Sequence, residues 1–240
     1  MPQIKDSKDR CALLLGATGL VGGELLKLLL ADPRYSRVHT AGRRAPAFAH
    51  AKLTVHVIDI ASPIQLPALP QVDDVYCALG TTIKVAGSQA AFKAIDLDAV
   101  VAVAKAARQV NKATRLGVVS AMGADPKSSV FYNRIKGEME AAVAQLGFES
   151  VSIARPSMLS GDRDSLKQAS RPGEQIGLKL MAAVNFLIPA NYKAIDAADV
   201  ARALHRMMTD GHAGVRIAMS GELSVLASKA AANDGFDDID

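Results

Sequence analysis

The stretch that most constrains the fold lies near the start of the chain, where positions 11–23 read CALLLGATGLVGG. Residues 12–15 are apolar and have the length of a short buried strand, and an apolar run typical of a helix follows the glycines. Between the two, a glycine recurs at every third position, at Gly16, Gly19 and Gly22. A strand, a glycine-rich turn and a helix in this order are typical of the phosphate-binding crossover of a dinucleotide-binding fold.

Each glycine of this turn has a separate role to play. The first permits the tight turn, the second lets backbone amides approach a pyrophosphate, and the third lets the helix pack closely on the strand. The alternative is a glycine-rich turn before an ordinary helix, because the spacing differs from G-x-G-x-x-G. Helix N-termini favour anions, so the turn as a whole is predicted to bind the cofactor, through Gly16, Thr18, Gly19, Leu20, Val21 and Gly22.

A second predicted strand, residues 37–41, ends at Gly42, Arg43 and Arg44. NAD-binding proteins usually place an acid at this position, about 20 residues past the glycine turn, whereas an arginine accommodates the 2′-phosphate of NADP. No acid lies near these arginines in the sequence. The pattern therefore predicts NADP as the cofactor, with Arg43 on its phosphate, and the alternative is a solvated basic loop.

The rest of the chain alternates between short strands and helices. The predicted strands are 53–58, 74–79, 115–120, 150–154 and 215–219, and the predicted helices are 89–108, 131–146, 196–208 and 222–231. This alternation predicts an α/β fold, a doubly wound parallel sheet of the Rossmann type with helices on both faces and a small C-terminal substrate region.

The length of the chain, 240 residues, suits one domain. We expect a single NAD(P)-binding domain over residues 1–232, with a substrate or lid region inserted at 156–195. Within that region the polar segment 161–173 is predicted to be a lid, and the apolar segment 175–188 a helix that covers a pocket or a dimer face. The acidic tail, 233–240, is expected to be disordered.

Several strand ends are followed by small or hydroxylated residues, which suit a cofactor lying along the carboxyl ends of the strands. Asp59, after the third strand, is predicted to bind the adenine end. Leu79, Gly80 and Thr81, after the fourth strand, are predicted to approach the nicotinamide half. Each of these polar residues is alternatively a turn or cap residue.

A candidate catalytic group follows the fifth strand. Tyr132 and Lys136 are four residues apart on one predicted helix and share a face, and Ser120 ends the strand before it. Carbonyl reduction needs a proton donor, which the phenol supplies, while the ammonium favours the ionised phenol and can hold the cofactor ribose. The serine can hydrogen-bond the substrate oxygen. The alternatives are a half-buried core tyrosine, a surface lysine and a turn serine.

Taken together, these segments resemble one family. GATGLVG, GRR, CALGTT, SAMGAD, YNRIK and SRPGE, spread over residues 10–210, are similar to the atypical, NAD(P)-binding branch of the short-chain dehydrogenase/reductases, some of whose bacterial members are labelled nucleoside-diphosphate-sugar epimerases. The resemblance implies NADP(H) binding by the glycines and Arg43, and catalysis by Ser120, Tyr132 and Lys136. One departure is Asp96, where many members carry an asparagine that supports the active site.

The sequence therefore predicts an NADPH-dependent oxidoreductase that transfers hydride to the carbonyl of a small or moderately apolar substrate, with Tyr132 as proton donor. One alternative is a non-catalytic NADP(H)-binding sensor that meets a partner through residues 161–190. Another is a nucleotide-sugar epimerase or dehydratase, for which Arg155, Arg163 and Arg171 could bind a second phosphorylated group. A monomer and a homodimer both remain open.

Composition limits the remaining partners. The net charge of +4 comes from scattered residues without a basic block interleaved with aromatics, which argues against nucleic-acid binding. The first ten residues are polar and no apolar stretch reaches the length of a membrane span, which predicts a cytoplasmic protein without a span. Cys11 and Cys77 are expected to be unpaired core residues, and the five histidines show no metal-ligand spacing.

Overall fold

The computed structural model describes residues 9–59, 72–110, 114–160 and 189–233. Its centre is a seven-stranded sheet in the order β3-β2-β1-β4-β5-β6-β9, and every pair of neighbouring strands in it is parallel. A second, two-stranded sheet pairs β7 with β8. The strands are β1 Arg10–Leu15, β2 Tyr35–Gly42, β3 Leu53–Val57, β4 Asp74–Cys77, β5 Arg115–Val119, β6 Ser150–Arg155, β7 Leu159–Ser160, β8 Ile195–Asp196 and β9 Gly214–Met219.

The helices lie on both faces of the large sheet, as the predicted doubly wound fold requires. On one face pack α1, α6 and α7, and on the other pack α4 and α5. The helices are α1 Leu20–Ala31, α2 Ile83–Ala86, α3 Gln89–Lys93, α4 Val100–Val110, α5 Phe131–Ala144, α6 Ala197–Thr209 and α7 Ser220–Asn233, with a π-helix at Ala94–Ala99 and a 3-10 helix at Ala190–Tyr192. The prediction of a Rossmann-type α/β sheet is confirmed.

The first strand shows why this sequence favours a parallel sheet covered on both faces. All of its residues are buried: Leu14 contributes to the core on the α1 side, and Leu13 and Leu15 contribute to the core on the α4 side. Residues that are apolar on both sides suit a central strand of such a sheet. The strand order reverses at β1, with β2 on one side and β4 on the other, and ligands of doubly wound folds bind at such a reversal.

Some boundaries differ from the predicted ones. The fourth strand ends at Cys77, two residues earlier than predicted, and the second begins at Tyr35, two residues earlier than predicted. The sequence also missed α2, where the Thr82 hydroxyl accepts a hydrogen bond from the Val85 amide (3.2 Å) and Gly87 ends the helix at a φ of +87°. The predicted 89–108 helix is continuous in outline, but the π-helix divides it into α3 and α4.

The predicted lid at 161–173, the apolar helix at 175–188 and most of the tail at 233–240 lie outside the described residues. Both cysteines are buried free thiols, as expected. They stand at opposite ends of the neighbouring strands β1 and β4, and burial raises the pKa of both Cys11 and Cys77 to about 11. Within the described residues, no helix is both long and apolar enough to cross a membrane.

Candidate functional site

Backbone atoms pack tightly against the glycines of the turn between β1 and α1. Gly16 has a φ of +82°, and a Cβ placed on it would lie 2.5 Å from the carbonyl oxygen of Ala78 on the neighbouring strand's exit. A Cβ on Gly22 would lie 2.0 Å from the carbonyl oxygen of Gly16. Since real Cβ atoms do not approach backbone atoms so closely, these positions accept only glycine. The Gly19 amide donates to the Gly16 carbonyl (2.9 Å), which fixes the turn.

The N-terminus of α1 is free to bind an anion. Its cap residue is Gly19, which provides no side-chain hydrogen bond, and the first turn carries no acid. The first amides of a helix have no partner within the helix, so here they are left for an external acceptor. Leu20 and Thr18 are half-buried and Val21 is buried. The cradle therefore fits the pyrophosphate of a dinucleotide.

The carboxyl end of β2 carries the two arginines predicted to select the cofactor. Arg43 and Arg44 follow Gly42 directly, are exposed, and form no hydrogen bond or ion pair with another described residue. Asp59 is also exposed and lies at the same edge, because the Ile58 amide donates to the Gly42 carbonyl (2.9 Å). The predicted phosphate ligand and the predicted adenine ligand therefore stand at the ends of neighbouring strands.

The turn after β4 runs between the glycine cradle and the helix α5. Leu79 is buried, Gly80 is exposed and Thr81 is half-buried. A Cβ on Gly80 would lie 4.0 Å from the Nζ atom of Lys136. The predicted nicotinamide-side turn and the predicted catalytic lysine are therefore close in space.

Ser120 follows β5 directly and is held by its backbone. Its amide donates to the carbonyl of Ala154 on β6 (2.8 Å). Its Oγ atom is buried and has no hydrogen-bond partner among the described residues. Buried hydroxyls in proteins are nearly always paired, so this one has the capacity to bind a group that is not part of the chain.

Packing of α5 fixes Tyr132 and Lys136. A Cβ on Gly137 would lie 2.2 Å from the nitrogen of Pro126, so the helix lies directly on the loop that precedes it. The ring of Tyr132, which is half-buried, has its centroid 5.3 Å from that of the buried Phe92. One turn later, Lys136 is buried.

Lys136 forms an ion pair that the sequence did not predict. Its Nζ atom lies 2.6 Å from Oδ1 of Asp96, and both side chains are buried. Burial by itself would lower the pKa of Lys136, but the charge and hydrogen bond of Asp96, together with Tyr132 and Cys77, outweigh it and the pKa is raised. Burial raises the pKa of Asp96, with Lys136 acting against that shift. One signal for this contact was present in the sequence: Asp96 stands where many members of the family that the chain resembles carry an asparagine that supports the active site.

A second ion pair, between the buried Glu140 and the half-buried Arg155, lies one turn further along α5. Nε of Arg155, at the end of β6, donates to Oε1 of Glu140 (3.0 Å), and Nη2 reaches the other carboxylate oxygen. The guanidinium that the epimerase alternative would use for a second phosphate is therefore engaged by the protein itself. The other two candidate arginines, Arg163 and Arg171, lie outside the described residues. In the described ranges, no group of three or more His, Cys, Asp or Glu side chains could hold a metal ion.

Comparison with known proteins settles the family. The profile of the family described as NAD(P)H-binding matches residues 16–211, from the first glycine of the cradle to beyond α6. The chain belongs to this NAD(P)H-binding family.

Two relatives of this NAD(P)H-binding protein are similar along much of their length. Protein HTATIP2 of Rattus norvegicus is 32% identical over 235 residues, which cover 96% of this chain and 91% of the relative. Protein fmp52, mitochondrial, of Emericella nidulans is 38% identical over 170 residues, which cover 68% of this chain and 71% of the relative. The predicted resemblance to an NAD(P)-binding family is confirmed.

Among solved structures, the enzyme WbmF of Bordetella bronchiseptica in complex with NAD⁺ has a TM-score of 0.66 and 17% sequence identity, covering 98% of this chain and 81% of WbmF. At that identity the likeness shows the fold alone. Together with the family profile, it confirms the NAD(P)-binding Rossmann-type fold that the glycine turn predicted.

The predicted cytoplasmic location is wrong. The fungal relatives from Emericella nidulans, Aspergillus clavatus, Aspergillus fumigatus and Candida albicans are all named mitochondrial. The prediction failed because a polar N-terminus without an apolar core argues only against a secretory signal, whereas mitochondrial targeting does not depend on an apolar core.

Proposed function

We propose that this NAD(P)H-binding protein is an NADP(H)-dependent oxidoreductase that reduces the carbonyl group of a small or moderately apolar substrate. The observation that carries the proposal is the position of three polar side chains at or next to the carboxyl edge of the sheet. Lys136 lies beside the Gly80 turn, Tyr132 lies one helical turn before it, and Ser120 offers a buried hydroxyl without a described partner.

The chain's own residues are suited to hold the cofactor. The amides of the glycine cradle and the N-terminus of α1 would bind the pyrophosphate, and Arg43 would bind the 2′-phosphate. Asp59 would bind the adenine end, and the residues from Leu79 to Thr81 would lie along the nicotinamide half. When bound, the reduced nicotinamide supplies the hydride for the carbonyl carbon.

Ser120 would orient the substrate. Because its Oγ atom has no partner among the described residues, it can donate a hydrogen bond to the substrate's carbonyl oxygen without breaking a bond in the protein. A donor aimed at the oxygen on which negative charge develops stabilises the transition state more than the ground state.

Tyr132 would deliver the proton. Its ring is held against Phe92, which in turn has its centroid 6.0 Å from that of Phe131. The phenol of Tyr132 and the ammonium of Lys136 interact electrostatically, and the phenol's proton would move to the carbonyl oxygen as hydride reaches the carbonyl carbon.

The replacement Tyr132→Phe tests the proposal, since it removes the proton donor and keeps the ring. We expect turnover of a panel of aldehydes and ketones with NADPH to fall by about 10²–10⁴-fold. Calorimetric affinity for NADPH should be unchanged, which serves as the control for folding and cofactor binding.

Two results would contradict the proposal. If Tyr132→Phe retains the full rate on a substrate of the wild type, the proton donor is wrong. If the wild type binds NADPH but reduces no member of the panel, the non-catalytic sensor becomes the better interpretation.

A further inference from the structure

Asp96 is a buried carboxylate that touches two parts of the candidate site without belonging to the Ser120–Tyr132–Lys136 group. Its Oδ1 atom lies 2.6 Å from Nζ of Lys136, on α5. Its Oδ2 atom accepts a hydrogen bond from the backbone amide of Thr81, in the turn after β4 (3.1 Å). One side chain therefore links the proposed catalytic helix to the turn along which the cofactor would lie.

The local backbone around Asp96 is unusual. It belongs to the π-helix Ala94–Ala99, a conformation that is rare and often found at functional sites. The same π-helix contains a second acid, Asp98, which lies at the surface and pairs with the exposed Lys93 (2.8 Å). Two acids of one element thus hold two lysines, one in solvent and one in the site.

The charges around Lys136 leave Asp96 as its principal counter-ion. The titratable groups that act on it are Asp96 from the π-helix, Tyr132 from its own helix and Cys77 from β4. Burial raises the pKa of Cys77 to about 11, so the thiol is neutral near pH 7. Of the two acids further along α5, Glu138 lies 4.0 Å from Arg134 and Glu140 is paired with Arg155.

We propose that Asp96 is a positioning residue: its carboxylate keeps Lys136 in the ammonium form and fixes it against the Gly80–Thr81 turn before any ligand binds. Lys136 has three donor hydrogens, so one can be held by Asp96 while the others remain for the cofactor ribose. This inference rests on the proposed function, because the benefit to the protein is a catalytic site that is charged and oriented before the reaction begins.

The direct test is the titration of Lys136 in the ligand-free protein. The ¹⁵Nζ signal, assigned with a Lys136→Met variant, is followed by NMR against pH in the wild type and in Asp96→Asn. Loss of an opposite charge from a buried lysine should lower the midpoint by about 1–3 pH units. Asp98→Asn removes the same charge from the same π-helix at the surface and should leave the midpoint in place.

An unchanged midpoint in Asp96→Asn would overturn the inference. So would an equal shift in Asp98→Asn, because the effect would then be one of general charge. Should Asp96→Asn not fold, the wild type decides: a Lys136 midpoint above the ordinary lysine value of about 10.4 supports the inference, and one below it contradicts it. Asp96→Glu, which keeps the charge, should retain a midpoint above that of the asparagine variant.

Failure of this inference and failure of the proposed function are distinguishable, because the titration needs neither cofactor nor turnover. If the midpoint falls as expected while no carbonyl is reduced, the hold on Lys136 stands and the reductase proposal fails. If Tyr132→Phe abolishes turnover while the midpoint does not move, only the role of Asp96 is lost.

Discussion

At the amino edge of the sheet, where the strands begin, Asp74 is surrounded by the first residues of three other strands: Arg10, Tyr35 and Arg115. The carboxylate of Asp74 accepts five hydrogen bonds, two from each arginine and one from the tyrosine hydroxyl. At the carboxyl edge, where the strands end, Ser120 is as buried as these residues but its hydroxyl has no hydrogen-bond partner among the described residues.

The hydrogen-bond network at the amino edge extends beyond Asp74. The hydroxyl of Tyr35 lies 3.0 Å from that of Tyr76, which lies 3.2 Å from Nδ1 of His205. On its other side His205 lies 2.9 Å from Asp32, whose carboxylate also accepts hydrogen bonds from Arg34. Polar groups that satisfy one another in this way have little capacity left for a ligand.

This difference between the two edges indicates that the amino edge contributes to stability and that the carboxyl edge is available for binding. Buried polar groups cost free energy unless they are paired. The amino edge meets that cost within the chain, whereas the carboxyl edge leaves the Ser120 hydroxyl and the first amides of α1 for an external group. The ion pair of Asp96 and Lys136 shares features of both, since its two charges are paired within the chain and yet lie in the candidate site.

The largest effect is expected from breaking the amino edge. Asp74→Ala leaves two buried arginines without their carboxylate, which should lower the free energy of unfolding by about 3–5 kcal/mol. Asp98→Ala, at an exposed ion pair, should change it by about 0–1 kcal/mol. Urea denaturation of both variants measures the difference. If both variants lose the same free energy of unfolding, the buried network contributes no more to stability than an exposed ion pair does.

The next effect has the opposite pattern, with activity lost and stability kept. Ser120→Ala removes a hydroxyl without a described partner, so the free energy of unfolding should not fall, whereas turnover should fall by about 10²–10³-fold. Ser152→Ala is the matched control, because its Oγ atom is also buried without a described partner but lies within β6. If Ser152→Ala lowers turnover as much as Ser120→Ala, the Ser120 hydroxyl has no specific role in turnover at the carboxyl edge.

Acid should weaken the amino edge. Burial alone would raise the pKa of Asp74 and of Asp32, but hydrogen bonds from Arg10 and Arg115 to the first, and from His205 and Arg34 to the second, outweigh it and both values are lowered.

Because an unfolded aspartate titrates at about 3.9, the unfolded chain binds more protons than the folded chain below that pH. The stabilisation is present above this value and is lost progressively as pH falls from it toward the lower pKa values of the folded chain, by up to about 1.4 kcal/mol per pH unit for each group. Urea denaturation between about pH 5 and pH 3 should show this slope, and Asp32→Asn should show a smaller one. A free energy of unfolding that is independent of pH over this range would contradict the assignment.

The elements that sequence patterns predicted well are those decided by local physics. The strand at β1 and the helix α1 follow from an apolar run and a glycine turn whose steric demands act within a few residues. The acidic start of α6 was also readable, since Asp196 accepts a hydrogen bond from the Ala198 amide (2.8 Å). Local patterns of this kind are sufficient to predict the fold class and whether a segment is a strand or a helix.

The contacts that the sequence did not reveal depend on strand order. Arg10, Asp74 and Arg115 meet only because β1, β4 and β5 are neighbours in the sheet. A charged residue at the start of each of these strands was the available signal, but charge at a strand end is ordinarily a sign of solvent. Asp96 and Lys136 are forty residues apart, and the π-helix alters which side chains face inward in a way that a 3.6-residue period does not predict.

The smallest effect concerns the carboxyl edge alone and asks which cofactor it selects. One charged hydrogen bond from Arg43 to a 2′-phosphate is worth ~1.5–3 kcal/mol, which corresponds to roughly tenfold to hundredfold. Arg43→Ala should weaken NADPH binding by that factor and leave NADH binding nearly unchanged. Arg37→Ala is the matched control, because it removes an exposed arginine from the same strand about 20 Å away, toward the amino edge.

Calorimetric titration of the wild type with NADPH and with NADH tests the central claim most directly, because it asks whether the arginine-tipped carboxyl edge is an NADP(H) site. We expect NADPH to bind roughly tenfold to hundredfold more tightly than NADH, and we expect Arg43→Ala to remove this preference while Arg37→Ala retains it. Equal affinities of the wild type for the two cofactors would contradict this claim.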